Sequence, residues 1–170
     1  MAEPRAESGS EDARERAARL KERVYLTFTA LAVVLALRSH GGEAGEAAAV
    51  LLITVTGTLL AVLVADIVSH LAVHAVLPDR AEFGRMVRVT AGALGAVTLP
   101  FVFLGLAAAG VWRVEAALKG STIALVSALA AIGYLAVRRV RLPAWQRLIV
   151  LGAELALGAA VVGLELPAHG

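Results

Sequence analysis

Residues 47–77 form a run of 31 positions whose only ionisable groups are one carboxylate, Asp66, and two imidazoles, His70 and His74. A helix rises about 1.5 Å per residue, so about 20 apolar residues cross the hydrocarbon of a bilayer. A run of this length and polarity constrains the whole chain, because water does not hold so much continuous apolar surface. The rest of the sequence repeats the pattern. Apolar segments cover approximately residues 24–38, 47–77, 86–111, 114–137 and 144–166. Hydrophobic residues make up 59% of the chain and charged ones 18%, against about 45–50% and 25% in soluble domains. The expected fold is all-α: a polytopic transmembrane helix bundle of about five spans, with the bilayer as its principal partner.

The segments are unequal. The first is short and thins the bilayer locally or borrows Leu20; the second is overlong and tilts or emerges as a helical extension. Gly41, Gly42 and Gly45 mark the first loop, Pro78-Asp79 the second, and Pro143 precedes the fifth span. The Trp112-Arg113 connection makes spans three and four an antiparallel hairpin, and Pro100 is predicted to kink span three.

Residues 1–20 form a polar tail and residues 21–170 the membrane domain. The tail reads as a charged helix capped by Ser10, and as an anchor rather than a cleaved signal peptide. An N-terminus in the cytoplasm places the six basic residues of positions 1–23 inside, with Arg80, Arg85, Arg88, Arg138, Arg139, Arg141 and Arg147. Arg38, Arg113 and Lys119 are left outside, which satisfies the positive-inside rule. Fourteen of the sixteen basic residues are Arg. With the abundance of Ala, this suggests a bacterial source and hence the bacterial plasma (inner) membrane. The Arg residues flank apolar spans instead of forming one patch, so nucleic acid is not an expected partner. The chain has no Cys, which excludes disulfides and thiolate chemistry.

Asp66, His70 and His74 follow one another at i, i+4 and i+8, on one helical face, with Thr54 and Thr58 on the same stride. Carboxylate and imidazole relay protons and also bind zinc-like divalent ions, so the three residues are candidates for an ion or proton pathway and for a metal site. The competing reading is interfacial: His70 and His74 stand near the end of an overlong helix, in contact with water. Glu154, ten residues into span five, falls at the same depth as Asp66 and joins the candidate pathway, or else forms a structural pair with Arg147. Glu115 and Lys119 read as a helix-end ion pair. Small residues at Gly92 and Gly95, at Ala124, Ala128 and Gly133, and at Gly152, Ala156 and Ala160 permit close helix contacts and a homo-oligomer. HExxH, a phosphate-binding Gly loop and GxSxG are absent.

The plan resembles small uncharacterised actinobacterial membrane proteins. The similarity lies in Glu22–Tyr25, in Leu37, Arg38, Ser39 and His40 ending the first span, and in a His-bearing second span. This resemblance implies a membrane location and no activity. The ArgValTyr…PheThr opening is also similar to the first helix of the endolysosomal potassium/proton channel family. Thr29 and Ala30 replace that family's Ser and Asp, so its function is not carried over. Three functional readings remain: an ion, proton or divalent-cation channel or transporter; a non-catalytic scaffold or accessory subunit docking a cytoplasmic protein through its N-terminal helix; and a membrane metalloenzyme with zinc on His70 and His74.

Overall fold

The structure, a computed structural model, describes residues 4–138 together with single helical positions at Trp145, Gly152 and Ala156. The predicted fifth span, with Arg147, Glu154 and Ala160, lies outside the described residues. Within them the architecture is five α-helices and one 3₁₀ turn, with no strand.

Helix α1 is continuous from Pro4 to His40. The expected tail and first span are therefore one element, and Ser10 lies inside the helix rather than capping it. The helix stops at His40 because Gly41 adopts φ +63°, a left-handed conformation that glycine takes without steric cost. The Ser39 hydroxyl donates to the Ala36 carbonyl at 2.8 Å, and His40 Nδ1 lies 2.7 Å from the same oxygen.

Helix α2 spans Ala44–His74, about 46 Å at the usual rise. It ends three residues before the expected boundary. Ala75 turns left-handed at φ 56° while its N–H donates to the Leu71 carbonyl, and Pro78 disfavours helical geometry at Leu77. Helix α3, Arg80–Gly92, follows at once. Its start is a capping box: the Glu82 N–H donates to Asp79 Oδ1 at 2.7 Å and the Asp79 N–H donates to Glu82 Oε2 at 2.9 Å.

The expected third span is broken. A 3₁₀ turn, Ala93–Ala96, separates α3 from α4, Thr98–Ala108, and the two arms meet at 54°. The break falls at Gly92–Val97 and not at Pro100. Pro100 occupies the first turn of α4, where backbone N–H groups lack helical acceptors anyway, so it does not interrupt a helix there. Helix α5, Val114–Arg138, returns antiparallel to α4.

Four helices form a closed ring in which α1 adjoins α2, α2 adjoins α4, α4 adjoins α5 and α5 adjoins α1; α3 and the 3₁₀ turn pack on α1 at one end. The core is centred on α1, where Leu26, Ala30, Leu31 and Val34 are buried against Leu51, Val55, Val97, Leu104 and Leu125. Past Val55 no residue of α2 is buried. Its apolar side chains face outward, Ile53 at 72% and Val73 at 73% exposure, as expected where lipid replaces a protein neighbour. Helices α2 and α5 are each long and apolar enough to cross a bilayer, and the bent α3–α4 pair makes a third if taken as one span.

Three of the small residues make no close contact within the chain. A Cβ added at Gly92, Gly95 or Gly152 meets nothing within 4 Å. At Gly120 on α5 it would stand 3.3 Å from the Phe103 ring of α4, and Phe103 in turn packs on Trp112 with ring centroids 5.3 Å apart.

Candidate functional site

Antiparallel packing of α1 and α2 brings the C-terminal half of α2 to the charged end of α1, where α3 covers both. Asp66 lies on α2, half-buried. Its electrostatic neighbour is Glu22 of α1, two residues before the apolar stretch that begins at Val24. Glu22 is 3% exposed. Burial pushes its carboxyl above the ordinary 4.5, and the Asp66 carboxylate adds to the rise by like-charge repulsion. The Lys21 cation and the Thr90 hydroxyl pull it partly back.

Thr90 comes from α3 and is 5% exposed. Its hydroxyl stands near enough to Glu22 to favour the charged carboxylate, although neither Glu22 Oε2 nor Thr90 Oγ1, both buried, makes a hydrogen bond of ordinary geometry. Five other hydroxyls of the bundle behave differently. Thr27, Thr54, Thr58, Ser121 and Thr122 each donate to the carbonyl four residues back, at 2.6–2.9 Å. Thr54 and Thr58 are thus satisfied within α2, and their hydroxyl protons are not offered to a pathway.

One turn beyond Asp66, His70 Nε2 lies 3.6 Å from Glu82 Oε2, the same oxygen that accepts from the Asp79 N–H. The His70 ring leans on His74, with centroids 4.5 Å apart. The titratable groups of this end thus fall into two sets across three helices: Glu22 with Asp66 as its electrostatic neighbour, and His70 with Glu82 and the exposed His74. Among the described residues no three His, Asp or Glu side chains converge to hold a metal. His70 and His74 stay together, with His70 also near Glu82, while Asp66 acts electrostatically on Glu22. Glu154 lies outside the described residues.

Sequence reasoning missed Glu22, Glu82 and Thr90. The Asp79…Glu82 spacing did carry a readable capping-box signal. Glu22 was masked by the twelve charges of residues 1–23.

At the opposite end, the loops after α1 and α4 surround an open cavity of about 780 Å³ lined by Arg38, Trp112, Arg113, Glu115 and Lys119. The ion pair there is Arg113 with Glu115 at 3.5 Å, in place of the expected Glu115–Lys119 contact. Both side chains of that pair are exposed, so it contributes little.

No family model, curated protein or solved structure matches this chain. A functional reading therefore rests on the site itself.

Proposed function

We propose that this chain is a small multi-pass protein of a bacterial cytoplasmic membrane, with its N-terminus inside, that moves protons or cations as a channel or transporter. The observation that carries this reading is the buried Glu22 carboxyl with Asp66 as its electrostatic neighbour, one helical turn from His70 with its neighbours Glu82 and His74. Two carboxylates in a low-dielectric site do not both remain charged without a compensating proton or cation. Imidazoles beyond them supply groups that exchange protons near neutral pH. A homo-oligomer suits the small enclosed volume of one chain, and Glu154 would join the pathway from span five.

Reconstitution tests the reading. Proteoliposomes containing the full chain should pass protons, potassium or a divalent cation, and Glu22→Gln, Asp66→Asn and His70→Ala should each abolish the flux with the fold intact by circular dichroism. Flux equal to wild type in all three variants would remove the site from the pathway.

A second reading has its own support. Helix α1 runs unbroken from its charged segment into the bundle, which suits a scaffold or accessory subunit that presents a rigid docking helix to a cytoplasmic protein. Deleting residues 1–20 separates the two: loss of a co-purifying partner, with no flux in the intact protein, favours the scaffold.

A further inference from the structure

A second cavity, of about 220 Å³, lies on the side of α1 that meets α5. It is lined by Arg16, Arg19, Leu20 and Arg23 of α1 and by Leu135 and Ala136 of α5. The three Arg residues follow one another at i, i+3 and i+7, so about 100° of arc on one face of α1 holds them, with Leu20 between. The cavity at the far end mixes its cations with Glu115, which pairs with Arg113. This one is lined by three guanidinium groups and, among the described residues, by no carboxylate. Helix α5 fixes its depth. Leu135 and Ala136 are the last residues of an apolar stretch, Val114–Ala136, long enough to cross a bilayer. Arg138 ends the helix two residues on. Tyr25 on α1 and Tyr134 on α5 are both exposed, and such rings collect where hydrocarbon meets headgroups. A cationic wall and an apolar wall therefore meet at headgroup level.

We propose that this cavity binds one anionic phospholipid, with the headgroup phosphate on Arg16, Arg19 and Arg23 and the start of an acyl chain along Leu20, Leu135 and Ala136. Guanidinium forks match the oxygen pairs of a phosphate. Arg16 and Arg19 also interact within the chain, and the several N–H donors of each guanidinium leave others for a ligand. A zwitterionic lipid would bring its own cation among three others, so a headgroup of net negative charge is selected. A free phosphate would use the arginines and leave the apolar wall unused. With the N-terminus in the cytoplasm the lipid belongs to the inner leaflet, where basic pockets between membrane helices hold such headgroups. This inference goes beyond the transport reading and needs only that α5 lie in a bilayer.

The test uses the full chain in neutral detergent, delipidated and titrated with phosphatidylglycerol or phosphatidylcholine, with bound lipid counted on the intact protein by native mass spectrometry. One phosphatidylglycerol per chain should be retained in preference to phosphatidylcholine. Affinity should fall about fivefold in each of Arg16→Gln, Arg19→Gln and Arg23→Gln, and about 100-fold in the triple variant. Ala136→Trp fills the cavity with every charge in place and should also weaken binding, which keeps the test decisive if the triple variant does not fold. Arg113→Gln, at the far end, should bind as wild type does. Equal retention of the two lipids overturns the site, as does undiminished phosphatidylglycerol binding in either the folded triple variant or Ala136→Trp. Loss of binding in Arg113→Gln alone overturns it in favour of the far cavity. Full displacement of the lipid by inorganic phosphate overturns it in favour of a free anion. Lipid bound to a chain that passes no ion would keep the site and remove the transport reading, and flux through a chain that holds no lipid would do the reverse.

Discussion

A carboxyl group placed out of water beside a second carboxylate is held toward its neutral form, and Glu22 is in that position. The folded-state pKa is raised above the ordinary 4.5 of the unfolded chain. Below pH 4.5 both states carry a neutral Glu22 and ionisation costs the fold nothing. As pH rises from 4.5 through the raised value, ionisation favours the unfolded chain, and the penalty is complete above it. Glu22→Gln should therefore unfold at a higher temperature than wild type at pH 8. The difference should close as pH falls below 4.5. A difference that does not vary with pH would mean that Glu22 acts through packing alone. Asp66, His70 and His74 were legible in the sequence because a period of four stands out in an apolar run. Glu22 was not, because a charge among charges carries no contrast until the fold buries it. Thr90 was hidden for a different reason: hydroxyls in helices normally bond their own backbone, so the sequence offers nothing to mark an exception.

Each helix boundary was legible where a residue changes what the backbone can do. Gly41 ended α1, and Ala75 with Pro78 ended α2 close to the expected place. The α3–α4 break was misassigned to Pro100, since proline disrupts a helix only once its N–H would be needed. The close approach of α4 and α5 at Gly120 was also illegible, because small residues are common in this chain and only packing distinguishes one that matters. That contact yields a prediction. Gly120→Leu must displace the Phe103 ring, which is itself held against Trp112. Overpacking of this kind costs about 1–3 kcal/mol. A matching loss of stability should appear in detergent melts, with a change in the fluorescence of Trp112. Gly95→Leu, where a Cβ meets nothing within 4 Å, serves as the neutral comparison.

The bundle as a whole is asymmetric end to end. Basic side chains of α1 and α3, the carboxyl pair and both histidines of α2 gather at one end, and the open cavity with Arg38, Arg113 and Lys119 lies at the other. An N-terminus in the cytoplasm assigns the first end to the inside. Because the chain has no Cys, single cysteines report topology without background. In right-side-out vesicles, Gly42→Cys should react with a membrane-impermeant maleimide, and Ala81→Cys should react only after permeabilisation. The reverse pattern would invert the assignment. The all-helical character was legible from the long apolar runs, and two or three of the described helices are long and apolar enough to cross a bilayer. That the stretch after Val24 forms the centre of the core was not legible, because its neighbours and not its own length put it there.

The unbroken course of α1 has a mechanical consequence. An unbroken helix resists bending, so displacement at one end is carried along its axis. The 20 residues of α1 before Val24 amount to about 30 Å of lever, and Glu22 lies near the end of it. A force that tilts this segment shifts the Glu22 carboxyl relative to Asp66 and Thr90, since those belong to other helices. The polar segment of this chain thus stands as a handle on its own buried charge.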